Sequence, residues 1–162
     1  MRLLFCISEK DRRDVSLDVL NDHIVTALES DNNKEWFYNY VVNPRVSNEM
    51  ITPYRSFFKG VIPAEDVAGY KANPELWVEW CRKNIQVSSE WNPLSLCMSP
   101  KGVWDVRVAD PHSRDIFFVA GARAIGIPAR IDEVTGKTQY MPTPGRWTDV
   151  NFEEAAGENA PQ

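Results

Sequence analysis

The stretch Ser113-Arg114-Asp115-Ile116-Phe117-Phe118-Val119-Ala120-Gly121-Ala122-Arg123-Ala124-Ile125-Gly126-Ile127-Pro128-Ala129-Arg130 decides how this chain is read. Phe, Val and Ala fall on every side of a helix drawn through it, so that helix is expected to be buried most of the way round. Ser113 is the expected N-cap, and Gly126 with Pro128 ends the helix. Beyond it, Val134-Thr135-Gly136-Lys137 reads as a turn between strands at 129–133 and 138–141, and residues 147–152 alternate as a further strand.

Upstream, the signals are helical. Ser16 precedes Leu17, Leu20, Ile24 and Leu28 at helical spacing, with an end expected near Ser30. His23 falls toward the edge of that stripe and reads as a packed or partly exposed residue. The aromatic run 36–42 is stopped by Asn43-Pro44. Pro53 opens a short helix carrying Tyr54, Phe57, Phe58 and Val61. Asn73-Pro74-Glu75 starts another, with Trp77, Trp80, Cys81 and Ile85 on one core-facing side. Pro93, Pro100 and Gly102 make 87–110 irregular. Helices first and strands last point to an α+β fold rather than alternating βαβ units. One domain, 1–152, is expected, with the polar, acidic 153–162 as a disordered tail or linker.

Composition excludes several classes of function. The chain has 162 residues, and its six Trp, seven Phe and five Tyr supply enough apolar area to rule out disorder as the main state. A net charge of −5 with no basic run disfavours nucleic acid as a partner. The apolar run Leu3-Leu4-Phe5-Cys6-Ile7 is too short for a signal-peptide core or a membrane span, so no membrane insertion is expected. The compartment stays open: cytoplasmic as the chain stands, extracytoplasmic if it is cut from a longer secreted chain. Three cysteines without a CxxC pair, and only His23 and His112 beside them, offer no structural zinc site of the usual spacing. Neither metal nor cofactor is expected, and most or all of the thiols read as buried and inert. Gly121 and Gly126 do not form a phosphate loop, because no Lys-Ser/Thr follows and the segment is helical.

Arg123, Gly126, Ile127, Pro128, Ala129 and Arg130, followed by Gly145-Arg146-Trp147 and Asp149, resemble the central motif of the transglutaminase-like superfamily, a branch of the papain-like fold. The resemblance covers about 104–152. It implies N-terminal helices packed on a small antiparallel sheet, with Arg123 buried beside the Gly-Ile-Pro turn. In that family a cysteine at the helix start is activated by the helix dipole, a histidine on a following strand takes its proton, and an acid orients the histidine. Counting back from Arg123 places the cysteine position near Pro111, or at Ser113 with slippage. No histidine follows His112, and Gln139 or Tyr140 stands in that region. Asp149 is the candidate acid.

The resemblance therefore implies a domain lacking the catalytic Cys and His. It would be a non-catalytic module of a larger bacterial protein, holding a peptide or glycan in the remnant groove, with neighbouring domains as partners. Trp104, Arg114, Tyr140 and Trp147 are the candidate binding residues. The alternative is a papain-like amide hydrolase or acyl transferase with a non-standard nucleophile, Ser113 or Cys97, with His112 as the candidate partner of Cys97. Asp105, Asp110 and Asp115 read as capping or dipole-complementing groups, and Arg114 with Asp115 as an ion pair.

Overall fold

The computed structural model describes residues 6–28 and 34–153. Among these residues eight helices, named in chain order, are α1 Glu9–Asp14, α2 Leu17–Leu28, α3 Glu35–Phe37, α4 Tyr54–Val61, α5 Ala64–Ala72, α6 Glu75–Asn84, α7 Pro100–Val106 and α8 Pro111–Ile125; α3 runs on into a π-helical turn, Tyr38–Val42. β1 Gln86–Val87 and β2 Val108–Ala109 pair in parallel, while β3 Ala129–Ile131, β4 Thr138–Thr143 and β5 Arg146–Asp149 form an antiparallel sheet in that order. The fold is mixed helix and small sheet, with its longer sheet last in the chain, as the α+β reading expects.

Helix α8 is the centre of the molecule: ten of its fifteen residues are buried. It begins earlier than the sequence suggests. Asp110, not Ser113, is the N-cap, accepting from the Ser113 amide at 3.1 Å, and Pro111 takes the first helical position where no N–H is needed. At the other end Gly126 adopts φ +104°; the Ile127 amide bonds Ala122 O at 2.8 Å and the Gly126 amide bonds Arg123 O at 3.1 Å. These two hydrogen bonds close the last turn and deliver Ile127 to the core and Ala129 to β3.

Trp77 of α6 turns the edge of its indole toward α8. Its indole N–H donates to Phe118 O at 3.1 Å, its ring stacks near Trp80 and Phe117, and a methyl on Gly121 would collide with it. The glycine is needed for this approach of ring to helix.

Two buried guanidiniums hold the N-terminal half to α8. The π-helical turn ends at Val42, leaving carbonyls with no further helix to bond them. Arg55 takes those of Val41 and Val42, and also donates to Arg123 O at 3.0 Å. Arg123 donates to Ala129 O, Asn43 O and Arg45 O at 3.0, 2.8 and 2.7 Å. The expected burial of Arg123 is met, and its partners are backbone oxygens rather than carboxylates. Burial holds both guanidinium pKa values below the usual range.

His23 is packed, and fully buried; its Nδ1 accepts from Arg55 Nε at 2.8 Å and its Nε2 bonds Thr52 O at 3.0 Å. The imidazole is thus the neutral Nε2–H tautomer, since Nδ1 must carry a lone pair toward the arginine. Other differences are local. The 87–110 segment contains α7 and β2. Helices α1 and α5 carry little signal in the sequence, because α5 has no apolar stripe and α1 is only six residues long. Leu17 is exposed, Ile85 is buried just beyond α6, and β5 ends at Asp149, after which Phe152 packs edge-on against Phe118. The expected tail falls on 153–162, of which only Glu153 is among the described residues.

Candidate functional site

The start of α8 is where the sequence places chemistry. Ser113 sits at the third helical position with no exposed surface, and its Oγ accepts the Met98 amide at 3.1 Å. The hydroxyl serves as a strut for the loop entering α7. On β4, Thr138 and Tyr140 turn inward and Gln139 outward, because side chains alternate along a strand. The inward residue near the helix start is therefore Thr138, close to Asp115, and not a proton acceptor of imidazole type. Burial raises the Asp115 carboxyl pKa, opposed by Arg114, whose Nη2 lies 3.0 Å away. The expected Arg114–Asp115 pair is present, and the guanidinium also covers Phe152, 4.1 Å from the ring centroid.

Asp149 stands on the other side of the sheet. Gln139 pairs with it across β4 and β5, donating from Nε2 to Oδ1 at 2.7 Å, and Lys137 reaches Oδ2 at 2.9 Å. These contacts, Gln139 first, hold its carboxyl below the ordinary range. Gln139 Oε1 in turn accepts from Arg130 Nε at 3.0 Å. Asp149 and Ser113 thus lie on opposite faces, and Asp149 orients neither described histidine.

His112 and Cys97, by contrast, are brought together. His112 Nε2 lies 2.7 Å from Asn48 Oδ1, and Cys97 Sγ lies 3.3 Å from the same oxygen. Sequence reasoning misses Asn48: nothing local marks it, and it lies 64 residues from His112. One oxygen accepting both bonds means that thiol and imidazole each present a hydrogen to the amide rather than to one another. Burial raises the Cys97 pKa, and the Glu49 and Asp110 carboxylates raise it further, so the thiol is protonated near neutrality. Cys97 and Cys6 are half-buried and only Cys81 is fully buried, a correction to the expectation of buried thiols. A polar cavity of about 390 Å³ opens beside Asn48, walled by Asn43, Arg45, Ser47 and the buried Asp11.

The four candidate binding residues do not share one groove. Trp104 stacks on Trp80 at 5.0 Å under the Arg107 guanidinium. Arg114 lies over Phe152. Tyr140 points inward and donates to Glu75 Oε2 at 2.9 Å; burial and that carboxylate push its pKa up to about 12. Trp147 lies on the solvent face with Gln139 and Asp149, edge-on to Tyr40 at 4.8 Å and 4.2 Å beneath the Arg130 guanidinium. Among the described residues, no group of three or more His, Cys, Asp or Glu is placed to hold a metal ion, and no helix is long and apolar enough to cross a membrane. No protein-family model matches the chain, and neither a curated protein nor a solved structure does.

Proposed function

We propose that this chain is a transglutaminase-like module that performs no acyl transfer and binds a peptide or glycan within a larger bacterial protein. The observation that carries the reading is the Ser113 hydroxyl: fully buried, engaged by the Met98 amide, and with Thr138 rather than a base on the nearby strand. A serine without a positioned base is not a nucleophile at neutral pH. The surface best suited to a ligand is the half-exposed Trp147 with Arg130 stacked on it, flanked by the hydrogen-bonding Gln139 and Asp149. An aromatic face beside amide and carboxylate groups suits a sugar ring or an extended peptide.

The test has two parts. Incubation with amine and glutamine donors and with peptide substrates is expected to give no turnover; activity abolished by Ser113→Ala would overturn the reading. Titration with peptide and oligosaccharide libraries is expected to perturb the Trp147 indole resonance, and Trp147→Ala is expected to remove binding. A library with no binder to the wild-type protein would sink the ligand half of the proposal.

One observation favours a second reading, a thiol hydrolase or acyl transferase: Cys97 and His112 meet at Asn48. It requires fast alkylation of Cys97 near neutral pH, slowed by His112→Ala, and turnover lost in Cys97→Ala. The acidic surroundings of Cys97 argue for slow alkylation instead.

A further inference from the structure

About 18 Å from Ser113 along the axis of α8, at 1.5 Å per residue, the C-terminal end of that helix borders a cavity of about 850 Å³. α4 and α5 form two of its sides, and Val25 and Phe37 contribute from the N-terminal half. Its floor is apolar: Phe58, Ile62, Val67 and Ile125. The volume lies in the range of sites for small organic ligands.

Its charges are of one dominant sign. Lys59 of α4 and Lys71 of α5 line it, and neither ammonium has an ion-pair or hydrogen-bond partner among the described residues. Lys71 is drawn over the end of α8: a Cβ on Gly126 would stand 3.0 Å from its Cε and 3.4 Å from its Nζ. Among the described residues the one carboxylate in the wall, Asp22, is occupied as the cap of α4, accepting the Arg55 and Ser56 amides at 3.0 Å each. Arg55 adds a buried positive charge beneath. On α5 the wall residues Ala64, Val67 and Lys71 share one face, which turns Glu65 and Asp66 away from the cavity.

We propose that this cavity binds a small anionic amphiphile, an acyl or aryl chain ending in a carboxylate. The chain lies on Phe58, Ile62, Val67 and Ile125, and the carboxylate meets Lys59 and Lys71. Burying the chain supplies affinity in proportion to the apolar area covered, and the two ammoniums select the sign of the headgroup. This site is separate from the Trp147 surface, so either can fail without the other.

Calorimetric titration with dodecanoate, dodecanol and dodecyltrimethylammonium, each kept below its micellar concentration, decides the matter. Saturable one-to-one binding of dodecanoate is expected, with loss in Val67→Trp, which fills the cavity. The Lys59→Ala/Lys71→Ala double variant is expected to bind about tenfold more weakly, equivalent to about 1.4 kcal/mol. Where Val67→Trp lowers stability, Ala64→Phe at an exposed position of the same wall repeats the block. Equal binding of the alcohol or the cation overturns the proposal, as does dodecanoate binding that neither filling variant reduces, or no binding at all. Ligand-free dimerisation that Val67→Trp abolishes would make a second copy the occupant and would also overturn it.

Discussion

Replacing Gly121 by alanine adds one methyl at the point where Trp77 crosses α8. Built on the existing backbone, that methyl overlaps Trp77 Cζ2 and stands 3.0 and 3.1 Å from Cε2 and Cη2. The indole has little freedom to retreat. It is 1% exposed, stacked on Trp80 at 5.2 Å and on Phe117 at 5.9 Å, and tied to Phe118 O. Two effects compete. Alanine in a helix interior is favoured over glycine by about 1 kcal/mol. Overpacking a filled core costs about 1–3 kcal/mol, and an indole pushed off Phe118 O loses a buried hydrogen bond of about 1 kcal/mol. The balance is a loss of about 1–3 kcal/mol, or several degrees in Tm for a chain this size. Urea unfolding followed by tryptophan emission measures it, with near-UV circular dichroism reporting the stacked indoles. Gly60 and Gly69 are internal controls: each is helical, and nothing from elsewhere in the fold comes within 4 Å of where a Cβ would stand. Alanine at either is expected to stabilise by up to about 1 kcal/mol. A Gly121→Ala protein as stable as wild type, with an unchanged near-UV spectrum, would refute the reasoning.

Three further outcomes are expected. Arg123→Met leaves the carbonyls of Asn43, Arg45 and Ala129 without their donor, and urea titration should show a loss of about 3–5 kcal/mol, with Arg123→Lys recovering only part because one ammonium cannot reach all three. Burial, with Arg55 beside it, holds His23 at about 4 against an ordinary 6.5; the unfolded chain therefore takes up the proton first, the stabilisation is complete above pH 6.5, and roughly 3 kcal/mol is lost as pH falls from 6.5 to 4. Unfolding curves across that window should show the slope, and His23→Gln should flatten it. Asp110→Ala removes the N-cap of α8 and the carboxylate that accepts from Asn92 at 3.0 Å, so a loss of about 1 kcal/mol in thermal or urea unfolding is expected.

The candidate site is partly legible in the sequence. The buried helix, its Gly-Ile-Pro exit, the hairpin and the Arg114–Asp115 pair can be read because each depends on residues a few positions apart. The start of α8 is ambiguous because Asp110-Pro111 and His112-Ser113 both carry capping signals, and only the Asp110 carboxylate reaching the Ser113 amide separates them. Asp149 matches in sequence order, yet strand alternation puts it on the solvent face with Gln139. The cluster at Asn48 is legible only in half: Cys97 and His112 are candidates, but the asparagine joining them is 49 residues from the cysteine.

What the sequence by itself determined is therefore part of the local grammar of this protein: where the helices with a clear apolar stripe or cap lie, which one is buried, and that the longer sheet comes last. Caps, left-handed glycine and hydrophobic period act over one or two turns and can be read from neighbours. The tertiary structure decided which charges are buried and what satisfies them. Arg55 reaches Arg123 O across 68 residues and Arg123 reaches Arg45 O across 78. A carbonyl oxygen has no residue-type signature, so a guanidinium that binds several of them leaves no pattern in the chain; only folding, by removing water from those oxygens, makes the arginines necessary.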